Sequence, residues 1–186
     1  MEAIHSARKL TYADYVRLPD DRLRHEIIGG EHFVSPSPVT RHQRILGKLQ
    51  HSLQLYLDAH PTGEVFLAPF DVLLSDFDIV VPDLVYLSRE RAGFLTTKNL
   101  QGPPDLVVEI LSPGTRRRDR GMKRNLYERV GVTEYWIVDP VADCVTVFRR
   151  SGSAFGSPTL LEKSRGAVLE TPLMPGLQVP LARLLA

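Results

Sequence analysis

Two acids stand inside runs that are otherwise apolar. Val80-Val81-Pro82-Asp83-Leu84-Val85-Tyr86 is one run, and Leu106-Val107-Val108-Glu109-Ile110-Leu111 is the other. Both are short, rich in β-branched residues and bounded by turn signals, the pattern of buried strands. A buried carboxylate is costly unless it is paired, protonated or bound to a metal. Any fold of this chain must therefore bring compensating groups to Asp83 and Glu109. The pair, followed by a basic helix, points to a divalent-metal site that works on phosphate. The plainer reading is a pair of core acids answered by arginines.

The rest of the chain supplies a frame. Thr11-Tyr12-Ala13-Asp14 opens a short helix with a capping-box spacing, and that helix stops before Pro19. His25 to Ile28 and Glu31 to Val34 flank Gly29-Gly30, a two-residue hairpin turn. A long helix is predicted from Thr40 to Asp58, with Ile45, Leu46, Leu49, Leu53, Tyr56 and Leu57 at helical spacing. Three strands follow, over Glu64 to Leu74, Ile79 to Leu87 and Asp105 to Leu111. A second helix covers Arg116 to Val130, with Gly131 as its stop. Strands at Glu134 to Val138 and Val145 to Arg149 come next, then a loop and a tail of short strands ending in a half-turned helix. This order gives an α/β fold, a mixed sheet with helices on both faces. The second helix makes one right-handed parallel crossover. A single domain is expected over 1–186: a helix and hairpin at 1–39, a core at 40–150 and an extension at 151–186.

Bulk composition narrows the function classes. The net charge is +1, so no global basic character advertises nucleic acid. Cys144 is the single cysteine, which excludes an intramolecular disulfide and fits a reducing compartment. No stretch approaches the roughly 20 apolar residues that span a bilayer. Met1-Glu2-Ala3-Ile4-His5 has no apolar region of a secretory signal. A cytoplasmic protein with no membrane partner is the expectation.

Strand alternation puts Asp83 on a face with Val81 and Val85, and Glu109 on a face with Val107 and Leu111. If the two strands pair, the acids lie side by side and can hold one hard cation through oxygens. Pro82 removes a ladder donor beside Asp83, so the ladder opens there. From Arg116 to Arg129 seven basic residues stand against Asp119 and Glu128. Met122, Leu126 and Val130 form the core stripe of that helix, with Lys123 and Tyr127 at its border. Lys123 is thus the base expected to point inward, with Asp119 one turn earlier as a partner. Arg116, Arg117, Arg118, Arg120 and Arg124 are expected to face out, either toward a phosphate backbone or simply into solvent.

A proline-aspartate on one strand, a glutamate on the next and a nearby lysine resemble the PD-(D/E)XK nuclease superfamily. A longer set of segments is similar to the Uma-type family of restriction-endonuclease-like proteins. These are His25-Glu26-Ile27-Ile28-Gly29-Gly30-Glu31, Ser35-Pro36-Ser37-Pro38 with Arg41-His42-Gln43, Pro82-Asp83-Leu84, Pro104 to Pro113, Lys123 with Tyr127, Gly131 to Pro140, and Leu173-Met174-Pro175-Gly176-Leu177. The resemblance implies a restriction-endonuclease-like core and a metal-dependent endonuclease that hydrolyses DNA. It implies that Asp83, Glu109 and the main-chain carbonyl of Ile110 hold Mg2+, or Mn2+ in its place. Leu111 stands where the superfamily's usual lysine would be, so Lys123 is expected to supply the amine. Lys123→Met is then expected to leave the fold nearly intact. Glu26 is the candidate for an additional N-terminal acid at the site, or else a plain hairpin acid. His42 is a candidate to touch the scissile phosphate or a water, or else a surface residue. Asp71 reads as a structural hydrogen-bonding acid. A homodimer is expected from the superfamily alone. Leu111 and the near-neutral charge favour the alternative, a catalytically inactive nucleic-acid- or protein-binding module. An assembly role without nucleic acid is a third reading.

Overall fold

The computed structural model describes residues 8–21 and 23–186. The stretch Met1 to His5, read above for targeting signals, lies outside them. Helix α1 (Tyr12–Tyr15) begins at Thr11, whose backbone N–H and hydroxyl both donate to the Asp14 carboxylate. Strands β1 (Arg24–Ile28) and β2 (Glu31–Ser35) form the expected hairpin about Gly29-Gly30. Both glycines have positive φ, 62° and 85°, which a two-residue hairpin turn of this kind requires. Helix α2 (Thr40–Ala59) buries Ile45, Leu46, Leu49, Leu53 and Leu57 on one face.

The next segment departs from expectation. The two strands predicted at Glu64 to Leu74 and Ile79 to Leu87 are each bent in two. The first becomes β3 (Gly63–Leu67) and β4 (Val72–Ser75), interrupted around Pro69. The second becomes β5 (Asp78–Val80) and β6 (Leu84–Ser88), interrupted at Val81-Pro82-Asp83. Proline lacks the N–H that a continuing ladder needs, and one lies in each break. β4 pairs with β5, and β3 pairs with β6. The whole is one long hairpin folded over at a corner, where the Ala68 N–H donates to the Asp83 carbonyl. Asp83 therefore stands on the corner itself and not within a strand.

After the corner come β7 (Leu100–Gln101) and β8 (Leu106–Ile110). The second long helix is also not uniform. It is α3 (Arg116–Arg118), a π turn (Asp119–Lys123) and α4 (Arg124–Val130), ended by Gly131 at φ 94°. Strands β9 (Glu134–Asp139), β10 (Cys144–Ser151), β11 (Ala154–Phe155) and β12 (Thr159–Glu162) follow, then β13 (Val168–Thr171), β14 (Met174–Pro180) and α5 (Leu181–Leu184).

Two main sheets result. The central one runs β11-β10-β9-β8-β6-β3, with β12 also on β10. Its β8–β9 pair is parallel and is joined through α3 and α4, the predicted crossover. The other sheet runs β2-β1-β5-β4-β7. One face of the central sheet packs on α2 and the C-terminal elements, through Leu84, Val108, Trp136 and Val147 against Leu49 and Leu53. The opposite face packs Val85, Val107 and Tyr135 with Leu126 and Tyr127 of α4 and with Val72 and Val80 of the second sheet. The fold is thus the α/β type expected, a mixed sheet flanked by helices. No described helix is long and apolar enough to cross a membrane.

The folded-over hairpin leaves no room at its base. A Cβ on Gly63 would lie 2.2 Å from the Leu87 carbonyl oxygen and 2.7 Å from the Tyr86 ring. Gly47, in the middle of α2, has nothing within 4 Å of the same position. Gly63→Ala is expected to destabilise the protein by about 1–3 kcal/mol through forced backbone movement. Gly47→Ala is expected to stabilise it by roughly 0.4–1 kcal/mol. Urea unfolding of both variants checks the pair, and equal midpoints would contradict this packing of β3 on β6.

Candidate active site

Register explains how the two acids meet. Leu84 pairs with Val108 in the β6–β8 ladder. One step further along an antiparallel ladder, Asp83 faces Glu109. At that point the Ile110 N–H turns to the Asp83 carboxylate instead, donating to Oδ2 at 2.7 Å. His42, in the first turn of α2, brings Nε2 to the same oxygen at 3.0 Å. Arg24 of β1 donates from Nη1 to Oδ1 at 2.7 Å. Asp83 is 1% exposed. Burial alone would raise its carboxyl, but the His42 hydrogen bond, the Arg24 guanidinium and the Ile110 N–H together hold it at about 2.

Glu109 lies at the centre of a second cluster. Lys123 Nζ is 2.7 Å from its Oε1, and the Tyr127 hydroxyl donates to that same oxygen at 2.9 Å. The ammonium also lies 2.7 Å from Glu26 Oε1 and 3.7 Å from Asp119 Oδ1. Glu26 accepts the Val81 N–H on Oε1 and faces Arg118 at 3.2 Å on Oε2. Glu26, Glu109, Asp119 and Lys123 are all buried.

The π turn brings Lys123 inward. A π turn closes each hydrogen-bonded ring with one more residue than an α turn. The face after it rotates, so Asp119, Lys123, Leu126 and Tyr127 are buried while Met122 is 38% exposed. The predicted Met122, Leu126 and Val130 stripe is corrected accordingly. The same helix turns Arg118 inward, against the expectation that it faces out. Its guanidinium reaches Ser35 Oγ at 2.6 Å and lies over the Phe33 ring. Arg116 and Arg120 both bond Asp139, and Arg124 pairs with Glu128 beside Phe148 and Phe155. Arg117 is exposed. Asp71 accepts the Tyr15 hydroxyl at 2.7 Å, a structural hydrogen bond.

Arg24 escaped the sequence reading, although its signal was present. It stands two residues before Glu26 on one strand, and alternation puts both on one face.

Charge in the inner cluster does not balance. Lys123 and Arg118 face Glu26, Glu109 and Asp119. Burial first, then repulsion from Asp119, Asp83 and Glu26, raises Glu109 to about 8 against the pull of Lys123. Burial likewise raises Asp119. Burial opposes the Lys123 charge, but its three acidic neighbours hold its pKa above the ordinary lysine value. Both hydrogen bonds to Glu109 fall on Oε1, and no described residue donates to Oε2. A cavity of about 250 Å³ opens over Asp83, Glu109, Lys123, His42 and Arg24. Among the described residues no three acid, histidine or cysteine side chains converge as a ready-made metal cluster. The donors present suit a cation that keeps most of its waters. They are hard oxygens, and the cavity opens over them.

Two consequences can be measured in metal-free buffer. Folded Glu109 holds its proton up to about 8, whereas the unfolded chain releases it near 4.5. Stability of the native protein should therefore fall as pH rises through that window. Glu109→Gln removes this loss, so its advantage over wild type in thermal unfolding should grow from pH 5 to pH 8. Parallel curves would reject the raised carboxyl. Lys123→Met leaves three buried acids against one guanidinium and should cost about 3–5 kcal/mol. The nearly neutral substitution expected from the sequence is thus revised by the burial of the ammonium, which urea titration will check.

The comparisons with known proteins extend over nearly the whole chain. Residues 12–182 match the model of the Uma2 family, described as "Putative restriction endonuclease". No curated protein matches. Among solved structures, the chain is similar to one titled as "a putative nuclease belonging to DUF820" from Anabaena variabilis. The TM-score is 0.80 at 19% identity, covering 95% of this chain and 97% of that one. At that identity the likeness speaks for the fold, and the restriction-endonuclease-like architecture is the one expected from the sequence. With its family model matched across Asp83, Glu109 and the lysine helix, this chain belongs to the Uma2 family.

Proposed function

We propose that this chain is a divalent-metal-dependent endonuclease that hydrolyses DNA phosphodiester bonds. The observation that carries the reading is the Lys123 ammonium, buried 2.7 Å from Glu109 at the point where Asp83 faces Glu109 across the open ladder. The family description and the solved neighbour's title, each naming a nuclease, support it.

Asp83, Glu109 and the Ile110 carbonyl are the groups that would hold the cation, Mg2+ first and Mn2+ second. Such a cation supplies Lewis acidity toward the phosphate and lowers the pKa of a bound water. The chain's own groups do the rest. Lys123 offsets negative charge that develops on the phosphate oxygens, from a buried position where such an offset is strong. Glu26 and Asp119 hold that ammonium in place. His42 positions Asp83 through the Nε2 hydrogen bond. Arg117, together with the partly exposed Arg116 and Arg120, offers positive charge to the flanking backbone. Arg118 serves inside the site, through Glu26. Cutting both strands would call for two copies of the chain. Leu111 and the near-neutral charge favour a binding module without turnover, and the Lys123 amine beside Glu109 weakens the first of these two grounds.

Plasmid nicking in Mg2+ or Mn2+ tests the reading, with calorimetric titration of the metal alongside it. Asp83→Asn and Glu109→Gln should each lower cleavage by about 100-fold or more and weaken metal binding, with unfolding curves showing that both variants remain folded. Equal cleavage by wild type and both variants would sink the proposal, as would no cleavage by any of them.

A further inference from the structure

Two cavities meet at Arg24. One is the 250 Å³ cavity over the carboxylates and Lys123. The other measures about 450 Å³ and shares Arg24, Pro36, Ser37 and Pro38 with the first as a common wall. The proposed chemistry makes no use of this second cavity. Its size lies within the roughly 300–1,000 Å³ of small-molecule sites.

Its lining has two kinds of group. Tyr15, Leu18, Leu23 and Pro69 are flat or apolar walls. Gln43 and Asp71 are polar groups with spare capacity. The Gln43 amide makes no hydrogen bond to a described residue, and Asp71 uses only Oδ1, on the Tyr15 hydroxyl. Arg24 is similarly underused. Only its Nη1 is engaged, by Asp83 Oδ1 and the Val81 carbonyl. A guanidinium has five donors in a fork suited to phosphate. At the junction of the cavities, Nε and Nη2 have no described partner.

Apolar walls, polar edges and a guanidinium at the mouth match the chemistry of one nucleotide. Enzymes that take a base out of the stack hold it between apolar or aromatic side chains and hydrogen-bond its edge. A base still stacked in a duplex cannot enter a concave pocket. We propose that the larger cavity is a subsite for one unstacked nucleoside of a DNA strand, with the adjoining phosphate on Arg24 beside Asp83 and Glu109. This rests on the nuclease reading and adds a substrate class to it: DNA with an unpaired base, single-stranded or mismatched.

The test is fluorescence anisotropy of labelled 12-mers in Ca2+, using the full chain. The probes are a single strand, its matched duplex and the duplex with one mismatch. Wild type should bind the single strand and the mismatched duplex about tenfold more tightly than the matched duplex, in keeping with one good base contact. Gln43→Ala should bring that ratio close to one without changing the unfolding midpoint, and Asp71→Asn should lower the ratio in the same way. Gln43 is exposed, so Gln43→Ala decides alone if Asp71→Asn, which touches Tyr15, fails to fold. Matched duplex bound as tightly as single strand would overturn the proposal. So would a wild-type ratio in the folded variants. Deoxynucleoside 5′-monophosphates competing as well as the strand would overturn it too, by marking a free-nucleotide site. The nuclease reading fails separately. Plasmid cleavage without single-strand preference rejects the subsite alone. Single-strand preference that Gln43→Ala abolishes, in a protein that cleaves nothing, supports the subsite and rejects the nuclease.

Discussion

One buried ammonium ties the molecule together. Lys123 lies against Glu26 of β1, Glu109 of β8 and Asp119 of its own π turn. A hairpin from one sheet, the middle of the other sheet and the crossover helix thus converge on a single charge. Desolvating these groups costs several kcal/mol each, and their mutual attraction offsets that cost only with good geometry. The cluster is therefore a weak source of net stability and a strong constraint on position. Few other arrangements of these three elements would leave all four groups partnered.

The neighbouring Asp83 cluster has the opposite electrostatic character. Its carboxylate is fully answered by Arg24, His42 and a backbone N–H, and it stays ionised. Glu109, across the ladder, is held partly protonated near neutrality by burial and like charge. Two acids facing each other with pKa values pushed apart are a frequent mark of functional sites. Here the difference has a simple origin: Asp83 is on a corner that three donors can reach, and Glu109 is mid-strand under a helix.

The parts of this arrangement that were legible in the sequence share one property: the signal was local. Acids inside β-branched runs marked Asp83 and Glu109, Gly29-Gly30 marked the hairpin, and the leucine spacing marked α2. The parts that were not legible depended on where the chain went next. Pro82 was visible as a ladder breaker, but a break does not say that the chain changes sheet, because the apolar run continues on both sides; Pro69 lies inside a run that reads as one strand. The π turn left no trace either, since Met122, Leu126 and Val130 satisfy helical spacing as well as the true buried set does. Arg118 is one of seven basic residues in its segment, and nothing in its own neighbourhood distinguishes it from those that stay outside.

The folded-over hairpin has one more consequence. Both of its arms cross from the central sheet to the second sheet, and they cross side by side at the corner that carries Asp83. Any separation of the second sheet from the central one would have to bend this corner. Local opening events in proteins follow contiguous units of structure. In this molecule the boundary where such a unit would end runs through the site. A displacement of the smaller sheet would therefore also displace Asp83 from Glu109.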